Sequence, residues 1–151
     1  MPNFKVDISY DGTDFFGWQI QKNARTVQGE LTNAFHTIFS KHKINLIGSG
    51  RTDAGVHAEH QIANIVLKTD LSCENITNAI NSNIANDVQV NSCEIVNYDF
   101  NSRFAATSRE YMYVIRTKVK NIIDLQQYSL LIVMTFHCKI IIIRARFFIA
   151  M

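Results

Sequence analysis

Proline is nearly absent from these 151 residues: Pro2 is the single one. That removes the P-C-x-x-C half of a zinc nucleobase deaminase signature, although His57-Ala-Glu59 matches its H-x-E half. Cysteine is scarce as well. Cys73, Cys93 and Cys138 are never two apart, so they make neither a metal knuckle nor a disulfide framework. Cysteines this sparse fit a reducing cytosol. His57 and His60 stand three apart, but no H-E-x-x-H motif is present, and a polar cluster is the simpler reading. Long apolar runs are missing too. The uncharged run Leu125–Cys138 is too short to span a bilayer, and Lys139, Arg144 and Arg146 interrupt the residues after it. Lys5 and Asp7 interrupt the apolar core that a signal peptide would need. The expected compartment is the cytoplasm. Nor is there a bulk excess of charge. Residues 1–120 hold twelve basic and twelve acidic side chains, so the net +2 lies entirely in the tail. Net charge therefore gives no argument for a nucleic-acid partner.

What is present is concentrated. Three of the six glycines fall in Gly48-Ser-Gly-Arg51-Thr-Asp53-Ala-Gly55, followed by Val-His57-Ala. Glycine lets a backbone turn tightly or approach a ligand closely. In extended backbone Arg51 and Asp53 share a face. A guanidinium beside a carboxylate keeps it ionised, and an ionised, positioned aspartate can be a nucleophile. The plainer alternative is a turn with a surface ion pair. A phosphate loop is excluded, because Val56 and His57 follow the last glycine where Lys is required. The dinucleotide fingerprint fails because Asp53 holds its third glycine position.

The fold reads as α+β up to about residue 118. Phe4, Val6, Ile8 and Tyr10 alternate with polar residues, as in a half-buried strand. Val27, Leu31, Phe35, Ile38 and Phe39 recur at helical spacing after a Thr26 cap. Lys43–Ile47 and Gln61–Leu67 read as strands. Ser72 caps a second helix with Ile76, Ala79, Ile80 and Ile84 on its apolar face. Val88–Val96 and Tyr111–Arg116 are further strands. The order β-α-β-β-α-β, plus one strand, predicts a ferredoxin-like antiparallel sheet with helices on one face. The 47% hydrophobic content and this length suffice for a core.

The glycine stretch, Gly50-Arg-Thr-Asp53-Ala-Gly-Val-His-Ala58, resembles the catalytic loop of the TruA family of tRNA pseudouridine synthases. Four more blocks agree in order: Tyr10-Asp-Gly12 with Phe16-Gly-Trp-Gln19; Thr26-Val-Gln-Gly-Glu30; Asn78-Ala-Ile-Asn81; and Phe100-Asn-Ser-Arg-Phe104 with Arg109-Glu-Tyr-Met-Tyr113. The resemblance spans about residues 3–118. It implies isomerisation of uridine to pseudouridine in the anticodon stem-loop of tRNA, with Asp53 as catalytic aspartate. It also implies that Tyr111 stacks on the target base and that Arg51 fills the place of the flipped nucleotide. Pseudouridine formation breaks the N-glycosidic bond, turns the uracil and rejoins it through C5. Nothing is oxidised and no group is imported, so no cofactor is expected. A local basic patch of Lys22, Arg25, Arg51, Arg103 and Arg109 could contact RNA. Phe15, Phe16 and Trp18 could be base platforms, core residues or subunit contacts, since family members act as homodimers.

The resemblance fades after Arg116-Thr-Lys-Val. The expected division is a catalytic-loop domain, 1–118, and a divergent apolar tail, 119–151. The family's second domain is expected to be missing, and out-of-frame translation is one origin for the tail, beside an extra strand pair. The chain is thus expected to be a synthase of doubtful activity, or a non-catalytic remnant or RNA-binding half-domain. Other reading frames of the gene should recover second-domain motifs if the frame has slipped.

Overall fold

The computed structural model describes residues 1–41, 43–116, 128–137 and 140–149, with side chains described through Met112. It has two compact units, 1–105 and 106–151. The boundary expected at residue 118 lies outside the described residues.

The first unit is built on β1 (Asn3–Tyr10), α1 (Val27–Ile38), β2 (Ile47–Gly48), β3 (Ala58–Val66), α2 (Cys73–Asn81) and β4 (Val88–Val96), followed by the short α3 (Ser102–Ala105). Its sheet runs β2-β3-β1-β4, with every neighbouring pair antiparallel. This is the ferredoxin-like order that the alternation of strands and helices predicts. β1 is central. Phe4, Val6, Ile8 and Tyr10 are buried, and they meet Leu31 and Phe35 of α1 and Ile76 and Ile80 of α2 in one core cluster.

Both helices start where their caps predict. Thr26 Oγ1 accepts from Gly29 N at 3.3 Å, and Ser72 Oγ accepts from Asn75 N at 3.2 Å. Each cap satisfies an amide that the helix itself leaves open.

An extra residue in β4 changes its parity. Asp7 faces Ser92 while Ile8 faces Val90, so Asn91 is bulged out. Val88 and Val90 point into the core before the bulge, and Cys93, opposite Val6, packs against it afterwards. Cys73 and Cys93 are free thiols. Burial, reinforced by the neighbouring Cys73, pushes the Cys93 thiol up to about 12, which keeps it protonated.

One strand expectation is corrected. The strand expected over Lys43–Ile47 is only Ile47–Gly48. Leu46 is buried and Ile44 packs against the core, while the Leu46 carbonyl accepts from Gln28 Nε2 at 2.9 Å; this stretch is held by side chains instead of a ladder. The segment 97–105 also crosses back to clamp the sheet. Asn64 Nδ2 donates to Asn3 Oδ1 at 3.1 Å, and Asn64 Oδ1 accepts from Ser102 N at 2.9 Å. Asn3 Nδ2 donates to Phe100 O at 2.9 Å, and Ser102 Oγ donates to Ile47 O at 2.5 Å. Asn3 and Asn64 alternate with core residues, so this polar clamp lies on the face opposite α1 and α2.

The second unit is a three-stranded antiparallel sheet of β5 (Ser108–Arg116), β6 (Tyr128–His137) and β7 (Ile140–Ile149), in that order.

Leu31 is completely buried in α1. Leu31→Ala should cost about 2–5 kcal/mol of folding stability, read by chemical denaturation.

Candidate active site

The glycine stretch leaves the ladder after Gly48 and returns at Ala58. Its first residues are anchored on β3: Ser49 N donates to Ile62 O at 2.7 Å, and Gln61 Nε2 donates to Gly50 O at 2.9 Å. Gln61 is a buried polar side chain, opposite Ile8 in the register, and Gly50 gives it the acceptor that burial demands.

Beyond Arg51 the loop is held by the segment that follows β1. Trp18 N donates to Thr52 O at 3.0 Å, and Gly55 N donates to Phe15 O at 3.1 Å. Tyr10 Oη and Thr52 Oγ1 share a hydrogen bond of 2.8 Å. Two glycines allow this approach. A Cβ on Gly12 would stand 2.0 Å from Val56 O, and one on Gly17 would stand 2.5 Å from Thr52 O, with Gly17 also at φ +89°. The backbone on both sides of Asp53 is therefore fixed. Val56 N closes a tight turn onto Asp53 O at 3.2 Å. Asp53 is exposed at the start of that turn.

The segment 11–20 is braced in its turn. Arg25 donates to Asp87 through both terminal nitrogens, at 2.6 and 2.9 Å, and to Glu30 through Nε at 3.0 Å. Its guanidinium also lies 4.1 Å from the centroid of the Phe15 ring. The hydrogen bonds to Asp87 raise the Arg25 pKa and lower that of Asp87. Asp11 N reaches Asp87 O at 2.9 Å, and Phe16 N reaches Arg25 O at 2.9 Å. Arg25, expected in an RNA-facing patch, is instead committed to this internal brace. No sequence signal pairs it with an aspartate so far along the chain, and none marks Gln61 as the anchor of Gly50.

Phe15 and Trp18 are buried at 3% and 2% exposure and belong to the core, whereas Phe16 is 61% exposed. Arg51 and Asp53 are both exposed, and no ion pair joins them among the described residues. The expected Arg51–Asp53 pairing is thus corrected: backbone constraint, not a guanidinium partner, positions the carboxylate. His57 Nδ1 lies 3.3 Å from Gly12 N and 3.1 Å from Asp11 Oδ1. With Nδ1 bare the ring accepts from Gly12 N; with Nδ1 protonated it donates to Asp11 instead. Thr13 holds the Asp11 carboxyl below its ordinary value by donating from its hydroxyl and its amide, helped by His57. His60 pairs instead with Asp7 at 2.9 Å, so the two histidines serve different partners. Among the described residues no group of three or more His, Cys, Asp or Glu could hold a metal ion.

Arg103 is exposed on α3, in the same unit as Asp53. Arg109 and Tyr111 lie on β5 in the other unit, opposite Phe136 and Met134 in the β5–β6 register.

A family model described as tRNA pseudouridine synthase matches residues 8–105. That range contains the braced segment, the Asp53 loop and α3. The chain is 47% identical over 116 residues to tRNA pseudouridine synthase A of Brachyspira hyodysenteriae, covering 76% of this chain and 46% of that protein. It is 46% identical over 123 residues to the protein of the same name from Thermosipho melanesiensis, covering 81% and 50%. With that of Dictyoglomus turgidum it is 35% identical over 150 residues, covering 98% and 61%. The chain spans about half the length of the first two of these curated relatives.

Gly17→Ala should destabilise the fold by about 1–3 kcal/mol, through a strained φ and a clash with Thr52 O. Chemical denaturation reads the loss. Asp87 gives an acid signature. Its carboxyl titrates lower in the fold than its ordinary 3.8. The pair with Arg25 thus contributes stability above that value and loses it as pH falls through the lower folded value. Asp87→Asn should flatten the fall in melting temperature below about pH 4 that the parent chain shows.

Proposed function

The chain belongs to the tRNA pseudouridine synthase family, and from that membership we propose that its Asp53 loop carries the conversion of uridine to pseudouridine in tRNA. The observation that carries this reading is an exposed carboxylate on a backbone pinned at Thr52 and at Gly55. A carboxylate so held meets the demand of the reaction for a charged group placed before the substrate arrives.

The reaction breaks the bond from C1′ to N1 and forms one from C1′ to C5. The hydrogen at C5 leaves as a proton and N1 takes one up, so no electrons enter or leave. Asp53 serves this either by attacking the sugar or the base or by taking the proton. The base must first leave its stack, at a cost of a few kcal/mol, and stacking on an aromatic ring returns about 1–3 kcal/mol. Tyr111 is the proposed ring, Arg51 the proposed occupant of the vacated space, and Arg103 and Arg109 proposed contacts to the RNA backbone. The proposed substrate region is the anticodon stem-loop, the proposed assembly a homodimer, the proposed compartment the cytoplasm, and no cofactor is required.

A second reading has its own support. The chain spans about half the length of its matched relatives, and a substrate held loosely in front of Asp53 reacts slowly. A misplacement of ~1 Å costs ~100-fold in rate. On this reading the chain binds RNA without turning it over. The division at residue 118, with a divergent tail beyond it, belongs to this second reading.

Tritium release from tRNA labelled at C5 of uridine decides between the two. Release by this chain that disappears in Asp53→Asn establishes the synthase. A folded chain that releases none, before or after the substitution, supports the non-catalytic reading.

A further inference from the structure

The proposed chemistry leaves one exposed ring beside Asp53 without a role. Phe15 and Trp18 point into the core, while Phe16 between them is 61% exposed. Exposing a phenyl ring forfeits burial worth about 1.5–3 kcal/mol. The residues on either side of Phe16 touch the residues on either side of Asp53: Phe15 O accepts from Gly55 N, and the Gly17 Cα packs against Thr52 O. The Phe16 backbone is thus set directly alongside the start of the Asp53 turn.

It is also rigid. Phe16 N donates to Arg25 O at 2.9 Å, and Phe16 O accepts from Gln21 Nε2 at 2.8 Å. Just beyond, Gln28 Oε1 accepts from Ile20 N at 3.1 Å and ties this segment to α1. The stacking of Arg25 on Phe15 holds that ring inward, which leaves its neighbour outward. An aromatic face presented on a pre-ordered backbone loses little entropy when a flat ligand settles on it. Arg51 and Lys22, on the same two segments, are exposed, as are the carboxylates Asp11, Asp14 and Asp53. Among the described residues the other exposed Phe or Tyr rings, Tyr98 and Phe104, follow the end of β4 that pairs with Asn3, at the opposite end of β1 from Tyr10 and the Asp53 loop.

We propose that Phe16 is a stacking platform for a nucleobase of the RNA strand adjoining the nucleotide presented to Asp53. The proposal rests on the reading of this loop as an RNA-modifying site. Stacking is tolerant of sequence, because every base offers a π face. Phe16 therefore fixes the path of the strand while leaving the identity of the neighbouring base open.

The test is filter binding of a radiolabelled anticodon stem-loop RNA with uridines in its loop, using this chain and its Phe16→Ala, Phe16→Leu and Phe16→Tyr variants. Phe16→Ala and Phe16→Leu should weaken binding roughly 5- to 100-fold. Phe16→Tyr should bind as the parent does. None should lower the melting temperature, because the side chain is outside the core. In RNAs carrying a single abasic site, one loop position should erase the difference between Phe16→Ala and the parent. Parent-like binding by Phe16→Ala or by Phe16→Leu overturns the platform and leaves the Asp53 reading standing. So does a large fall in melting temperature, which would make the ring structural. A parent chain that binds no RNA overturns the RNA-modifying reading and the platform with it.

Discussion

The contact between two stretches of backbone, 12–18 and 52–56, is the constraint on which the candidate site depends. It is made by peptide groups, with carbonyls of Thr52 and Phe15 accepting from Trp18 and Gly55. Peptide groups meet this closely only where no Cβ intervenes, and Gly12 and Gly17 supply the two gaps. The Asp53 carboxylate needs no partner of its own to be positioned, because the chain on both sides of it cannot shift independently. Behind this contact stands Arg25, whose guanidinium joins the start of α1 to the turn before β4 and lies over Phe15. A bidentate fork with a ring beneath it fixes orientation as well as distance.

Much of the first unit was legible from side-chain periodicity. Phe4, Val6, Ile8 and Tyr10 declared β1, and Thr26 and Ser72 declared the helix starts, because both signals are local. The misreadings share a physical cause. Ile44 and Leu46 have strand composition, but their apolar side chains are used for burial without a ladder. The short α3 depends on Asn3 and Asn64, which are remote in sequence and acquire meaning only when the sheet brings them together. The Arg25–Asp87 brace is of the same kind.

In the site, Asp53 was legible because glycines crowd around it, and its family resemblance rested on a dense local motif. The Arg51 pairing that charge and spacing suggested is not among the ion pairs of the described residues, and the turn that Val56 N closes begins only at Asp53. Phe15 and Phe16 are chemically identical, so composition could not sort them. The hydrogen bonds of the flanking backbone sort them, sending one ring inward and the other out. Tyr111 lies in the second unit and reached the site only through the resemblance.

Trp18 is the sole tryptophan of the chain. Its indole ring lies 2.7 Å from where a Cβ of Gly48 would stand, 6.2 Å from the Tyr10 ring, and its amide holds Thr52. The protein thus carries one intrinsic indole chromophore, and it is lodged against the roots of the Asp53 loop. Its emission colour and quenching are a local optical gauge of that loop's seating, readable in the unmodified chain without any attached dye.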